Sequence, residues 1–185
     1  MGRPKQLLPF SGSSLLDTVL AEALQSNLDL VDLVLGHRAR EIRKALTTDL
    51  KHPKLKITFN DQHSDGISTS IQSGLSEVEA VCDHIMIILA DMPRLTSGLI
   101  NLLLQKYLES PLSLGALRIK GRRSHPVIIG RRFYPELRQL GGDLGARDLF
   151  LKYPDQVLLV ESGGTYDDRD VDTMEDYLDL IEGAE

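Results

Sequence analysis

Six stretches of the sequence concentrate side chains able to grip phosphate or a hard cation. At the start, Gly2-Arg3-Pro4-Lys5 sets two cations beside a flexible glycine. A guanidinium fork and an ammonium point charge suit a phosphate, although a solvated basic terminus is the plainer reading. Asp91, in Ala90-Asp91-Met92-Pro93, directly follows the most apolar run of the chain, Ile85 to Ala90. A carboxylate there would project into the crevice at a strand's carboxyl end, where an oxygen ligand serves Mg²⁺, and Pro93 would restrain the loop. An aspartate that merely closes a local turn is the alternative. The loop Asn60 to Gly66 and the following Ser68-Thr69-Ser70 offer a permissive glycine, hydroxyls and the free amides of a helix start to an anionic ligand. Ordinary capping by Ser68 would use the same residues.

Further along, Lys120-Gly121-Arg122-Arg123 brings cations up to Ser124-His125-Pro126, as a second, phosphate-bearing substrate would ask. A solvated loop with a packed His125 competes with that reading. Arg147 follows Gly142-Asp143-Leu144-Gly145-Ala146 near a helix start, where a cation opposes the macrodipole unless a ligand or a salt bridge uses it. Finally, Asp167, Asp168, Asp170 and Asp172 crowd the stretch before the last helix. They repel one another unless a cation or an arginine intervenes, which suits a metal ligand among them beside plain capping by Asp172.

Other chemistries are excluded by what is missing. The sequence holds no GxGxxG after a strand, no GxxxxGK[ST] and no G-x-S-x-G elbow, and its five histidines lack ligand spacing. The single cysteine, Cys82, rules out an internal disulfide and a cysteine-rich zinc site, and its place before an apolar strand suits packing. With 21 basic against 27 acidic residues, no tryptophan and 5% aromatics, neither nucleic acid nor an anionic membrane is an expected partner. No apolar run approaches the ~20 residues that span a bilayer, and no secretory leader is visible, so a cytoplasmic setting is expected.

The elements that must position these residues follow from hydrophobic period. At 185 residues, 42% hydrophobic and 26% charged, one domain with a sizeable core is expected. Helical stripes span residues 13–26, 38–50, 68–78, 96–108, 131–140, 144–153 and 173–181, the first behind a serine cap and the last behind Asp172. Strand patterns span residues 31–35, 55–59, 84–90, 114–119, 126–129 and 156–161. The run at 84–90 is continuously apolar, as in a strand covered on both faces. Such alternation implies a mostly parallel sheet sandwiched by helices, with ligands at the strands' carboxyl ends. No strand precedes the first helix, and the first ten residues read as a loop.

In this order, MGRPKQLLPF…SLLD, VLGHRAREI, NDQHSDGISTSIQSGL, IILADMPRL, HPVIIGRRFYPEL, GGDLGARDLF and DVDTMEDY resemble the molybdenum-cofactor nucleotidyltransferases, in particular molybdopterin cytidylyltransferase and its MobA-like relatives. The resemblance runs through essentially the whole chain. It implies a single α/β domain over residues 1–185 with a three-layer, Rossmann-like nucleotidyltransferase architecture. The implied reaction moves a nucleoside monophosphate, CMP from CTP ahead of GTP or ATP, onto a molybdopterin phosphate with Mg²⁺ and release of pyrophosphate. A molybdoenzyme or its maturation factor is an implied partner. On this pattern Lys5 meets the triphosphate, with Gly2 and Arg3 in the glycine-rich loop, and Asp91 is the magnesium aspartate. Asn60, Gly66, Ser68 and Ser70 match the nucleotide-side loop, His125 and Arg147 the acceptor side, and Asp170 or Asp172 the second carboxylate.

The mechanism read from the residues agrees, because phosphoryl-type transfer needs positioning and charge neutralisation rather than a covalent nucleophile. Two departures from the family pattern stand out. Family members open with a strand and the loop L-A-A-G-x-S-x-R before the equivalent of Met1-Gly2, so this chain is expected to be N-terminally short of both, and the natural protein to be longer. Ser124 stands where the family usually has glycine, which bears on acceptor choice. Two other functions remain open at this level: a nucleotide-binding accessory of a molybdoenzyme without turnover, and a nucleotidyltransferase for a sugar or alcohol phosphate.

Overall fold

The computed structural model describes residues 4–163 and 166–182. It begins with a 3₁₀ turn, Lys5–Leu7, and a small hairpin of β1 (Pro9–Phe10) and β2 (Ser13–Ser14) where a loop was expected. Then follow α1 (Leu15–Gln25), β3 (Val31–Leu35), α2 (Ala39–Ala45), β4 (Leu55–Phe59), α3 (Ile67–Val78), β5 (His84–Ile87) and α4 (Ser97–Leu108). The second half comprises β6 (Leu114–Ile119), β7 (Arg122–Gly130), α5 (Tyr134–Leu137), α6 (Arg147–Lys152), β8 (Val157–Glu161) and α7 (Met174–Glu182). No helix among the described residues is long and apolar enough to cross a membrane.

Alternation along the strands sorts the core into two faces. Met86, Ile128, Leu117, Ile119 and Val160 turn to α4 and to Ala23 of α1. Ile85, Ile87, Val127, Ile129, Leu114 and Ala116 turn to α3, α5 and α6. The result is three layers, as expected of an α/β domain with ligand loops at one end. In the four-stranded sheet β5-β7-β6-β8, β6 and β8 are parallel, and β5 and β6 both oppose β7. The reversal has a local cause: Lys120 and Gly121 both take positive φ, 49° and 79°, and close a two-residue hairpin between β6 and β7. β3 and β4 pair in parallel as a separate sheet. Among the described residues, no strand hydrogen-bonds the second edge of β3 or of β5. Accordingly β5, read as a strand covered on both sides, leaves Ile85, Met86 and Ile87 only half-buried.

Three expected helices are shorter than their apolar stripes. The span 131–140 becomes a 3₁₀ turn and one α-turn, with Pro135 at its start. The span 144–153 begins at Arg147, because Gly145 takes φ +57°. The span 38–50 stops at Ala45 because a side chain from another helix captures the backbone beyond it. The backbone amides of Thr47 and Thr48 and the Thr48 hydroxyl all donate to Asp17 Oδ1, at 3.0, 2.9 and 2.7 Å.

Asp17 also accepts the Ser14 hydroxyl at 2.7 Å, and its side chain is buried. Burial alone would raise its pKa, but the hydrogen bonds from Ser14, Thr48 and Thr47 outweigh it and hold the carboxyl below its usual range. The ionised form is therefore favoured by folding. Its contribution is present above the ordinary aspartate range and lost as pH falls through the lowered folded pKa. Asp17→Ala should cost about 2–3 kcal/mol of stability in urea unfolding at neutral pH, because four donors lose their acceptor. The deficit should shrink in acid.

Candidate active site

The site is assembled from the two ends and the middle of the chain. Lys5 rides on the 3₁₀ turn, which Leu7 anchors among Leu16, Leu35 and Ile42. Asp91 lies just beyond β5. Opposite them, the segment after β8 returns across the molecule. Val171 packs with Leu8, Phe10, Leu15 and Leu180, and its N–H donates to the Asp91 carbonyl at 3.2 Å. The cap of α7 is Thr173 rather than the expected Asp172. Thr173 Oγ1 accepts the Asp176 N–H at 3.1 Å, and Asp176 Oδ2 accepts the Thr173 N–H at 2.7 Å. Asp172, freed from capping, meets Lys5.

Lys5 Nζ donates to Asp91 Oδ2 and to Asp172 Oδ1, both at 2.7 Å. Burial would lower the lysine pKa, but the hydrogen bonds to Asp172 and Asp91 more than offset this and raise it, so the ammonium is charged throughout the neutral range. Asp91 Oδ1 is buried and has no hydrogen-bond partner among the described residues. A buried carboxylate oxygen left so is costly unless a further group completes it, and a hard cation does so best. Asp170 is exposed and makes no hydrogen bond or ion pair among the described residues. Among the described residues, no three histidine, cysteine or acidic side chains gather as a metal cage.

The stretch 60–70 forms a compact knot at the end of β4. Asn60 is buried; its N–H donates to the Leu35 carbonyl at 2.8 Å, and its side-chain amide donates to Thr69 Oγ1 and Ser70 Oγ at 2.8 and 3.0 Å. Gly66 takes φ +104°, and a Cβ there would collide with the Gly142 backbone. The close approach it permits is thus between two loops of the protein, with Asp143 Oδ1 accepting the Ile67 N–H at 3.3 Å. Ser68 is buried on the first turn of α3, and Gly66 rather than Ser68 precedes the helix. Gly2 and Arg3 lie outside the described residues.

On β7, successive side chains part to opposite faces. Ser124 is buried and donates to Asp168, whose other oxygen takes Arg122 at 2.6 Å, so the unusual serine fastens the returning segment to the sheet. Arg123 points the other way, over the Phe150 ring with 4.5 Å to the ring centre, and His125 follows where the β6–β7 register shifts. Arg147 is exposed one helical turn before Phe150. Hydrophobic period reads 126–129 as the strand; the polar residues 122–125 that extend it were missed, and the Lys-Gly hairpin was the available signal.

A sequence profile of the MobA-like NTP transferase domain matches residues 1–157. The chain belongs to this family. Among curated relatives it is similar to nicotine blue oxidoreductase of Paenarthrobacter nicotinovorans, 27% identical over 98% of this chain and 90% of that one. It is also similar to the purine catabolism protein PucB of Bacillus subtilis, 28% identical over 100% and 90%. Molybdenum cofactor cytidylyltransferase of Escherichia coli is 29% identical over 52% of this chain and 47% of its own. Among solved structures, Rv0371c of Mycobacterium tuberculosis superposes with a TM-score of 0.83 at 27% identity, covering 98% of this chain and 90% of that one. A manganese complex of Rv0371c gives 0.79 at 27% identity, covering 98% and 93%. The fold is thus a Rossmann-like nucleotidyltransferase and the protein a transferase.

Within this transferase the charges are graded across His125. Burial pushes its pKa down and Arg123 adds to that, against the pull of the Ile87 backbone, Asp91 and Asp170. Its Nδ1 is buried without a partner. The ring is neutral at physiological pH. Because folding favours the neutral form, its contribution to stability is present above the ordinary histidine range and falls as the pH drops from there toward the folded pKa. In ¹⁵N-histidine NMR, His125 should titrate below the ordinary histidine range, and Arg123→Gln should raise its midpoint. A midpoint at or above the ordinary histidine range contradicts the assignment.

Proposed function

We propose that this chain is a divalent-metal-dependent nucleotidyltransferase that moves a nucleoside monophosphate, CMP from CTP foremost, onto the phosphate of a molybdopterin-type acceptor and releases pyrophosphate. The observation that carries the reading is the Lys5 ammonium seated between Asp91 and Asp172, with the second oxygen of Asp91 buried and unpaired. Two carboxylates at one edge of a cleft are the usual protein share of a Mg²⁺ or Mn²⁺ site, the other ligands being phosphate oxygens and water. Asp91 and Asp172 would hold the ion, which when bound neutralises charge developing on the phosphates. The half-overlapping cytidylyltransferase relative and the manganese-bound neighbour support cytidine and a divalent ion respectively.

The remaining work falls to the chain's own groups. Lys5, kept charged by its carboxylates, offsets negative charge on the departing pyrophosphate. The knot of Asn60, Gly66, Ser68 and Ser70 shapes the nucleotide side; with the Asn60 amide already engaged, its contribution is a rigid wall. His125 and Arg147 face the acceptor. The attacking phosphate is ionised at neutral pH, so no general base is required, and the neutral His125 is not asked to be one.

The decisive assay is pyrophosphate release from CTP, GTP and ATP with Mg²⁺ and molybdopterin. Release should favour CTP, and Lys5→Gln and Asp91→Asn should each lower kcat by about a hundredfold or more. No release with any nucleotide, from an otherwise folded protein, would favour a non-catalytic binding module. The names of the two relatives of fuller coverage point to purine catabolism and to a nicotine-derived dye, so release with CTP but with no molybdopterin dependence would overturn the acceptor alone.

A second readout needs no turnover. Because Lys5 occupies both carboxylates, a free divalent ion must compete with it. In electron paramagnetic resonance titrations without nucleotide, Lys5→Gln should bind Mn²⁺ more tightly than the wild type and Asp91→Asn more weakly. Equal affinities in all three would contradict a metal seat at Asp91.

A further inference from the structure

Many of the arginines among the described residues find a carboxylate. Arg38, Arg94, Arg118, Arg122, Arg131, Arg138 and Arg169 each close on one. Arg123 does not. It is half-buried on β7, stacked on Phe150, with no ion pair among the described residues. A second cation is near: Arg147, three residues before Phe150 on α6, acts on Arg123 and makes no ion pair among the described residues either. On its own strand, Arg123 lies two residues before His125 and acts on that ring, whose buried Nδ1 lacks a partner among the described residues. Burial and Arg147 both work against the charge on Arg123. A partly buried guanidinium held against a like charge is unfavourable in the empty protein, and a bound anion would relieve it.

The geometry points to Arg123, together with Arg147, as the anion-binding pair of the acceptor side, holding a phosphate-type oxyanion next to His125. This rests on the acceptor-side reading proposed above and adds to it the residue that selects for an anionic acceptor. The planar fork of Arg123, braced by Phe150, presents its N–H groups in a fixed direction, whereas Arg147, exposed at the start of a short helix, supplies charge with freedom to adjust. Arg122, next in the same basic run, is excluded by its engagement with Asp168. The acceptor class that fits is a phosphate monoester, and a neutral alcohol would leave the pair uncompensated.

The test is binding of inorganic phosphate to the full chain without nucleotide or metal, followed by calorimetry and by the ring signals of His125 in ¹⁵N-histidine NMR. Phosphate should shift the His125 signals. Arg123→Gln should weaken binding about tenfold, Arg123→Lys and the exposed Arg147→Gln should weaken it less, and Arg43→Gln on the exposed face of α2 should leave it unchanged. Unchanged phosphate affinity in Arg123→Gln, or His125 signals that stay fixed while phosphate binds elsewhere, would overturn the inference. Should Arg123→Gln fail to fold, unaltered affinity in Arg147→Gln would overturn it equally. Binding that depends on Arg123 without any pyrophosphate release would leave this inference standing and remove the transfer reaction; release without that dependence would do the reverse.

Discussion

One ammonium group sets the spacing of the carboxylates at the working end of this protein. Lys5 lies 86 residues from Asp91 and 167 from Asp172, and bonds both. The contact to Asp172 is solvent-exposed, worth less than about 1 kcal/mol, so it cannot be what docks the chain's return. That docking comes from burying Val171, Leu180 and their neighbours, at about 1.5–3 kcal/mol for each such side chain. Packing delivers the carboxylates; the ammonium sets their spacing. The cost of the arrangement is left on Asp91 Oδ1, the oxygen that nothing among the described residues completes.

From that oxygen onward, charges of both signs act on one ring. Asp91 and Asp170 favour the charged form of His125 and Arg123 opposes it, while Arg147 in turn acts on Arg123. In the proposed transfer two phosphate-bearing substrates come together, and such a field would give them separate seats: one on a cation held by acidic groups, one directly on guanidinium groups. Ser124 contributes from the opposite face of β7. By binding Asp168 it fastens the segment that leads to Asp172, so this departure from the family pattern acts on the side of Lys5 and Asp172.

The parts of this arrangement that depend on local pattern were legible in the sequence. β3, β4 and β6 fall where period and composition put them, and α1 is capped by a serine; Asp91 was singled out by its place after the apolar run, Lys5 only by the family resemblance. What was not legible depends on partners far along the chain. The end of α2 is set by Asp17, about 30 residues earlier, which no helical stripe can register. The reversed strand β7 hides behind polar residues because Lys120-Gly121 reads as charge before it reads as a hairpin. Arg122 and Arg123 are indistinguishable as letters; only the fold shows that Asp168 claims one and leaves the other unpaired. Thr173 likewise takes the cap of α7 from Asp172 through Asp176, one turn on, and thereby releases a carboxylate to the site.

The claim on which the rest depends is that Asp91 and Lys5 serve one cleft, the first for a cation and the second for phosphate. Anomalous scattering at the manganese edge, from crystals of the full chain grown with Mn²⁺ and CTP, addresses it directly. The account predicts a single strong peak at Asp91 Oδ1, with Lys5 Nζ withdrawn from Asp91 and turned to a phosphate oxygen of the nucleotide. A peak remote from Asp91, or nucleotide bound while the Lys5–Asp91 contact stays closed, would contradict it.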